Sequence, residues 1–322
     1  MIPPVTPGPR HRVAVVMVTY NSAEVVGPGL RALRAGAAGV DLIRVVVVDN
    51  SSRDDTVDVA RRALPEVEVV QMGENSGYAA AINAAGLEAG DHDTVVILNP
   101  DTEVGPGCLR VLAEALDRPG VGIVVPALRG TDGSVSHSVR RSPSLLSAAA
   151  EALLGGRRAG ALGIGEVVVD PRVYQRSATV DWATGAALAV GRPCQAALGS
   201  WDESFFLYGE ETELMLRAAR LGFATWFEPA AECYHRGGAS GVDPPLWALQ
   251  MVNKVVLYGR LHGRTATVAF WAVTLVGQGA RAMSGSRRAS AAVRELVHAG
   301  PLPRRRNARE RFLEMAGRAG PS

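Results

Sequence analysis

Five short apolar runs fill the first 130 residues, and they restrict the possible folds more than any other feature of the chain. They are VAVVMV (Val13 to Val18), IRVVVV (Ile43 to Val48), VEVV (Val67 to Val70), TVVIL (Thr94 to Leu98) and VGIVV (Val121 to Val125). A strand with one wet face alternates apolar and polar residues. These runs are continuously apolar, the pattern of strands covered on both faces in a parallel sheet. The Ala-, Leu- and Arg-rich segments between them supply the crossover helices that parallel strands require. The spacing therefore predicts an α/β fold with a mostly parallel central sheet flanked by helices. Asn21 or Ser22 is placed to cap the first helix, and Asp54 or Asp55 the second.

The polar residues fall where a ligand site is expected. Thr19-Tyr20-Asn21 follows the first run, Asp49-Asn50-Ser51-Ser52 the second and Asn99-Pro100-Asp101 the fourth. In an open parallel sheet the binding crevice lies beyond the carboxyl ends of the strands, so the three clusters should converge. The turn after the first run reads TYNSAEVVG and carries no GxGxxG, which argues against a nicotinamide or flavin enzyme.

Past Arg129 the βα rhythm is lost. Val180 to Val190, VDWATGAALAV, reads as a strand interrupted by Gly185. Glu210 to Leu221 reads as an amphipathic helix with Leu214, Leu216 and Leu221 among its apolar positions, and another helix is expected from about Pro245 to Leu261. No internal repeat is present.

Charge divides the chain into two parts. Among 322 residues there are 34 basic residues, of which only Lys254 is a lysine, and 32 acidic ones, so the formal charge is +2. That balance argues against an obligate nucleic-acid binder. It conceals eleven Arg and three Glu in Arg264 to Ser322, a tail of +8 on a body of −6. Residues 1–263 are accordingly expected as the main domain, with a nucleotide-binding half over 13–128 and an acceptor half over 129–263. Residues 264–322 are expected as a helical, basic extension. Cys108, Cys194 and Cys233 form no CxxC pair, so neither a disulfide framework nor a zinc knuckle is indicated, and a reduced cytoplasmic setting fits. The opening MIPPVTPGPRHR lacks the regions of a signal peptide. The apolar stretch Thr265 to Ala280 has sixteen residues, short of the roughly twenty that span a bilayer.

An ordered set of segments carries a family resemblance. VTYNS (Val18 to Ser22), VVDNSSRDDT (Val47 to Thr56), ENSGYAAAINAAG (Glu74 to Gly86), LNPD (Leu98 to Asp101), DWATGAALAV (Asp181 to Val190), WDESFFLYGEETEL (Trp201 to Leu214) and His235 with GGAS shortly after it occur in that sequence over residues 13–240. The chain resembles a family 2 glycosyltransferase of GT-A fold, and within it the bacterial rhamnosyltransferase branch, which acts on lipid-linked or polysaccharide acceptors. The resemblance implies an inverting hexosyltransferase using a pyrimidine nucleotide donor, most simply dTDP-L-rhamnose, with UDP-GlcNAc or UDP-galactose as other donors.

Sugar transfer needs a held base and ribose, a neutralised diphosphate and a deprotonated acceptor hydroxyl. The resemblance assigns the pyrimidine to Asp49, the surrounding pocket to Thr19, Tyr20 and Asn21, and the donor loops to Asn75, Gly77, Tyr78 and Asn99. It makes Asp101 the surviving acid of a DxD motif, with Asn99 at the first acidic position, and His235 a second ligand or diphosphate contact. The cofactor implied is Mg²⁺ or Mn²⁺, hard cations that prefer oxygen ligands. Glu211 takes the place of the acceptor base, a position usually held by Asp, with Glu210 as the alternative; crowding with Glu213 raises such a pKa. Trp182 and Gly185 stand where the family contacts donor sugar or acceptor.

Each assignment has a plain structural alternative. These are turns at Asp49 and Asp101, a core histidine at His235, a core tryptophan at Trp182, a loop and helix start at Gly77 and Tyr78, and helix-start electrostatics for the three glutamates. The basic tail, with Arg287, Arg288, Arg304, Arg305 and Arg306 beside the apolar segment, suits an anionic membrane surface or a simple helical cap with a disordered end. A catalytically silent nucleotide-sugar-binding protein is the rival reading from another functional class.

Overall fold

The computed structural model describes residues 10–87, 90–236, 243–302, 309–310 and 312–314. Four of the apolar runs form the parallel half of one sheet: β1 (Arg12–Thr19), β2 (Asp41–Asp49), β3 (Glu68–Gln71) and β4 (Thr94–Leu98), ordered β3-β2-β1-β4. The crossovers are α1 (Ala23–Gly36), α2 (Thr56–Ala63) and α3 (Tyr78–Ala84). Along β1 the side chains divide between two cores. Val13, Val15 and Met17 pack with α1, whereas Ala14, Val16 and Val18 pack with α3 on the other face. The continuous apolar runs arise because both faces are buried.

Beyond β4 come β5 (Thr102–Val104), α4 (Cys108–Leu116) and β6 (Val121–Arg129), then β7 (Val139–Arg140), α5 (Leu145–Leu154) and α6 (Gly156–Ala161). Next are β8 (Ala178–Val180), β9 (Trp182–Ala183), β10 (Ala187–Gly191), α7 (Arg192–Leu198), α8 (Glu210–Arg220) and β11 (Ala224–His235). The sheet continues β4-β10-β6-β11-β5, with β8 paired to β11. β6 and β11 run parallel to each other, while β10, β5 and β8 run against their neighbours, so the sheet is mostly parallel with three reversed strands.

The expected single strand over Val180 to Val190 is instead three pieces. β8 ends at Val180, β9 leaves the main sheet to pair with β7, and β10 enters between β4 and β6. Gly185 lies in the connection, where the chain must turn. The helix caps agree with expectation only in part. Neither Ser22 nor Asp55 caps its own helix by a side-chain bond. Asp54 accepts from the Thr56 amide at the start of α2 at 3.2 Å, and also from the first-turn N–H of Ala23 in α1 at 3.1 Å, so that loop serves its neighbour's helix as well. In α8 Leu214 is buried but Leu221, just past the helix, is half exposed.

The last helices are α9 (Pro244–Leu261), α10 (Arg264–Met283) and α11 (Arg287–Ala299). They build a third core in which Leu249, Val252 and Val255 of α9 meet Phe270 of α10 and Leu296 of α11, together with Ala148 of α5 and Phe206. The apolar stretch within α10 thus faces protein on one side. Val276 and Met283 remain exposed on the other. Among the described residues no helix is long and apolar enough to cross a membrane.

Candidate active site

The strand-end clusters converge and are tied together. Asp49, 1% exposed, accepts from the Thr19 hydroxyl at 2.9 Å, the Ser52 amide at 2.9 Å and the Ser52 hydroxyl at 2.5 Å. A buried carboxylate is tolerable only with such partners. Asn21 adopts a left-handed backbone (φ 49°), which its short polar side chain accepts. Its side chain accepts from the Arg53 amide at 2.8 Å while its own amide donates to Ser52 Oγ at 2.8 Å. Tyr20, 48% exposed, leaves a ring open beside this locked pair of loops.

Asn50 reaches the third loop, donating to the Gly77 carbonyl at 3.0 Å and accepting from the Ser76 amide at 3.1 Å. Asn75 accepts from the Gly77 amide at 3.2 Å. Gly77 has φ 93°, and a Cβ there would stand 2.5 Å from the Phe206 carbonyl oxygen, so both conformation and contact require glycine. The Tyr78 amide donates to that same carbonyl at 2.8 Å. The donor loop is thereby pinned to the segment leading into α8.

The Tyr78 hydroxyl donates to Asn99 Oδ1 at 3.0 Å. Burial, then the charges of Glu210, Glu211 and Asp101, raise its pKa far above the ordinary phenol value, so it stays a donor. This one side chain therefore sits among the residues from the fourth strand end and the start of α8. Asp101 Oδ1 lies 3.2 Å from His235 Nε2, with both side chains partly exposed. Gly237, Gly238 and Ser240, which complete the His235 motif, lie outside the described residues.

Asp101 and His235 offer one oxygen and one nitrogen donor, and no group of three or more His, Cys, Asp or Glu gathers among the described residues. Such a pair fits Mg²⁺ or Mn²⁺, which commonly take one or two protein ligands and complete their shell with substrate phosphate oxygens and water. The hydrogen bonds of Asp49, Asn21, Asn50 and Tyr78 hold the surrounding loops in place.

The carboxylates at the start of α8 separate into three kinds. Glu213 pairs with Arg217 at 2.9 Å, the ordinary i,i+4 arrangement. Glu210 is 4% exposed and its Oε2 has no hydrogen-bond partner. Burial, reinforced by the Glu211 charge, lifts its pKa well above the usual carboxylate value. Glu211 is also raised by burial, but backbone N–H groups, including those of Gly209 and Gly185, oppose the shift. Its side chain lines a cavity of about 550 Å³.

Trp182 and Arg140 line that cavity from the sheet side, and α5, α9, α10 and the start of α11 from the other. Trp182 is a core residue whose indole donates to the Arg141 carbonyl at 2.9 Å, with part of its ring on the cavity. Asn253 of α9 donates to the carbonyls of Leu207 and Tyr208 at 3.0 and 2.8 Å, fixing the turn before Glu211. Sequence reasoning passed over Asn253, Phe206 and Arg140. Asn253-Lys254 does interrupt an apolar helix face, Met251-Val252 before it and Val255-Val256 after it, which is a readable signal. Arg140 had none.

Known proteins resemble the chain in sequence and in fold. The family model "Glycosyl transferase family 2" matches residues 14–179. N-acetylglucosaminyl-diphospho-decaprenol L-rhamnosyltransferase of Mycobacterium tuberculosis is 32% identical over 247 residues, 71% of this chain and 78% of the relative. The mannosyltransferase PcManGT from Pyrobaculum calidifontis, solved with GDP-Man and Mn²⁺, is 20% identical at a TM-score of 0.52, covering 96% of this chain and 87% of that one. GalNAc-T7, solved with UDP, GalNAc and Mn²⁺, gives 15% identity and a TM-score of 0.54, covering 78% of this chain and half the length of that one. The sheet with its flanking helices is the GT-A fold shared with these glycosyltransferases, and the chain is a member of glycosyl transferase family 2.

Proposed function

We propose that this glycosyltransferase moves L-rhamnose from dTDP-L-rhamnose to a hydroxyl of a lipid-linked glycan acceptor, with inversion at the anomeric carbon. The observation that carries the reading is the position of Glu211, between the donor loops joined through Tyr78 and the cavity of about 550 Å³. The mycobacterial relative, whose printed name specifies both the sugar and a diphospho-decaprenol acceptor, supports the choice of substrates.

In a single displacement Glu211 accepts the proton of the acceptor hydroxyl. The acceptor oxygen bonds to the anomeric carbon as that carbon's bond to the diphosphate oxygen breaks, and dTDP leaves. Asp49 and the loops around it hold the thymine and ribose, and Trp182 and Gly185 border the reacting sugar. Asp101 and His235 would hold the divalent cation, whose charge stabilises the departing diphosphate. Burial makes Glu211 more basic than an ordinary carboxylate, while the Gly209 and Gly185 amides oppose that shift.

A lipid-borne acceptor brings the enzyme to the cytoplasmic face of an anionic membrane. The exposed Val276 and Met283 of α10 and the basic residues that follow support that placement. Arg304, Arg305 and Arg306 lie outside the described residues.

The test supplies the purified chain with Mn²⁺, a polyprenyl-diphospho-N-acetylglucosamine acceptor and, in parallel, dTDP-L-rhamnose, UDP-GlcNAc or UDP-galactose. Mass spectrometry of the lipid should show one added deoxyhexose from dTDP-L-rhamnose alone. Transfer from a UDP-sugar in its place would overturn the donor assignment. Nucleotide-sugar binding without any transfer would favour the silent binding protein.

A further inference from the structure

We infer that Arg140 of β7 and Arg281 of α10 form an anion subsite in the cavity beside Glu211, and that it holds a diphosphate carried by the acceptor. The inference rests on the reading of that cavity as the acceptor's place.

Seven charged side chains line the cavity. Four are cationic, Arg140, Lys254, Arg281 and Arg288, and three are carboxylates, Glu151, Glu166 and Glu211. Lys254 accounts for two of the acids. Its Nζ lies 3.3 Å from Glu151 Oε2 and forms a close ion pair with Glu166. Glu151 in turn accepts from the Glu166 amide at 2.8 Å. Lys254 is thus neutralised by two carboxylates, and the Lys254–Glu151 pair ties α9 to α5. Glu211 is reserved for the acceptor hydroxyl.

The two remaining cations of interest have no carboxylate partner among the described residues. Arg140 donates from Nη1 alone, to the carbonyls of His137 and Val139, and its guanidinium lies 5.9 Å from the centre of the Trp182 ring. Among the described residues Nε and Nη2 have no acceptor. Burial pushes the pKa of this guanidinium down, against the opposing charges of Glu166, Glu151 and Glu211, none of which pairs with it directly. Arg281 donates to the Gly277 carbonyl at 3.1 Å and the Glu151 carbonyl at 2.6 Å. Those bonds fix its direction without neutralising its charge. Arg288, stacked over the Trp247 ring at 5.0 Å, also lines the cavity.

Partly buried guanidinium groups held in place by carbonyls and lacking counter-ions are costly unless an anion completes them. Their planar forks match phosphate oxygens in pairs. Two such groups, one from the sheet layer and one from the helical layer, suit an extended, multiply charged group better than a single carboxylate. A diphosphate next to the sugar that presents the hydroxyl meets this requirement. The donor's own diphosphate is assigned to Asp101 and His235, neither of which lines this cavity.

The test uses the full chain saturated with dTDP and Mg²⁺, so that the donor diphosphate site is filled, and titrates inorganic pyrophosphate by calorimetry. The wild type should bind pyrophosphate, and Arg140→Gln and Arg281→Gln should each weaken it at least tenfold while the dTDP dissociation constant stays the same. Arg140→Lys, which keeps the charge but not the fork, should fall between. In transfer assays pyrophosphate should compete with a polyprenyl-diphospho-sugar acceptor and not with dTDP-L-rhamnose, which separates an acceptor subsite from a free-anion site. Should Arg140→Gln fail to fold, Arg281→Gln carries the test alone. Wild-type pyrophosphate affinity in the variants, or competition against the donor, would overturn the assignment. Glu211→Gln distinguishes this from failure of the base assignment, because it should leave pyrophosphate binding intact whatever it does to transfer.

Discussion

Gly185 and Glu211 are in direct contact across the site: a Cβ on the glycine would stand 3.1 Å from Glu211 Cβ and 3.2 Å from its Cγ. The connection between β9 and β10 thus sets where the carboxylate can lie, and the Gly185 amide helps keep it ionised. Gly185→Ala should displace Glu211 by a few tenths of an ångström. Since proton transfer depends on position, kcat is expected to fall about 10- to 100-fold with an unchanged donor dissociation constant. Steady-state kinetics together with dTDP calorimetry check this. An unaltered kcat would mean that Glu211 tolerates the displacement and that its position is not set here.

Glu210 and Glu211, neighbours at the start of α8, should respond in opposite ways. Glu211→Gln keeps the shape of the side chain and removes its basicity, so kcat should drop by roughly 10² to 10⁴ with little effect on donor affinity. In the wild type kcat should rise with pH through a midpoint above the ordinary carboxylate range, since burial lifts the Glu211 pKa.

Glu210, by contrast, costs stability when ionised, because its carboxylate is buried and its Oε2 is unpartnered. Its folded pKa lies above the unfolded value, so the folded state keeps its proton longer. Stability is greatest below the unfolded pKa of about 4.3 and is lost as pH rises from there through the folded value. Glu210→Gln should therefore raise Tm at neutral pH and flatten this slope. Thermal melts of both proteins between acid and neutral pH read the difference directly.

The parallel half of the fold was legible because its strands are buried on both faces, which leaves an unbroken apolar signature in Val13 to Val18 and Thr94 to Leu98. The polar residues at those strand ends were legible for the complementary reason, that they interrupt the apolar signature where the buried strands end. The division of Val180 to Val190 was not, because β10 pairs with β4 and β6 and β9 with β7, partners 42 or more residues away in sequence. Nor did local sequence distinguish Glu210 from Glu211. That distinction comes from Gly185 and from Asn253, which holds the preceding turn from α9.

Asp49 is expected to support both the nucleotide and the fold. Removing its carboxylate would leave the buried Thr19 hydroxyl and the Ser52 amide without their acceptor, besides the group proposed to meet the pyrimidine. Asp49→Ala should thus cost roughly 1 to 3 kcal/mol of stability as well as weaken dTDP binding. Thr19→Val removes one of the internal bonds and leaves the carboxylate in place. It should lower Tm more than it lowers dTDP affinity. If Asp49→Ala lowers Tm but binds dTDP as the wild type does, Asp49 is a turn residue and the base is held elsewhere.

The last prediction concerns the pair Asp101 and His235. Their 3.2 Å approach brings an oxygen and a nitrogen donor from β11 and the fourth strand end to one point, near enough to Tyr78 for the Asp101 charge to act on its hydroxyl. If the pair holds a cation that in turn holds the diphosphate, chelation should act on the phosphates and not on the base. With EDTA in place of Mn²⁺, dTDP affinity should fall by at least about tenfold, equivalent to about 1.4 kcal/mol. Thymidine, which has no phosphate, should bind equally in both buffers. Asp101→Asn keeps the size of the side chain and removes its charge, so it should reproduce the EDTA affinity for dTDP and abolish the response to added Mn²⁺. Equal dTDP affinity with and without Mn²⁺ in the wild type, combined with weaker binding in Asp101→Asn and His235→Ala, would assign the pair to the phosphates directly and remove the cation from the site.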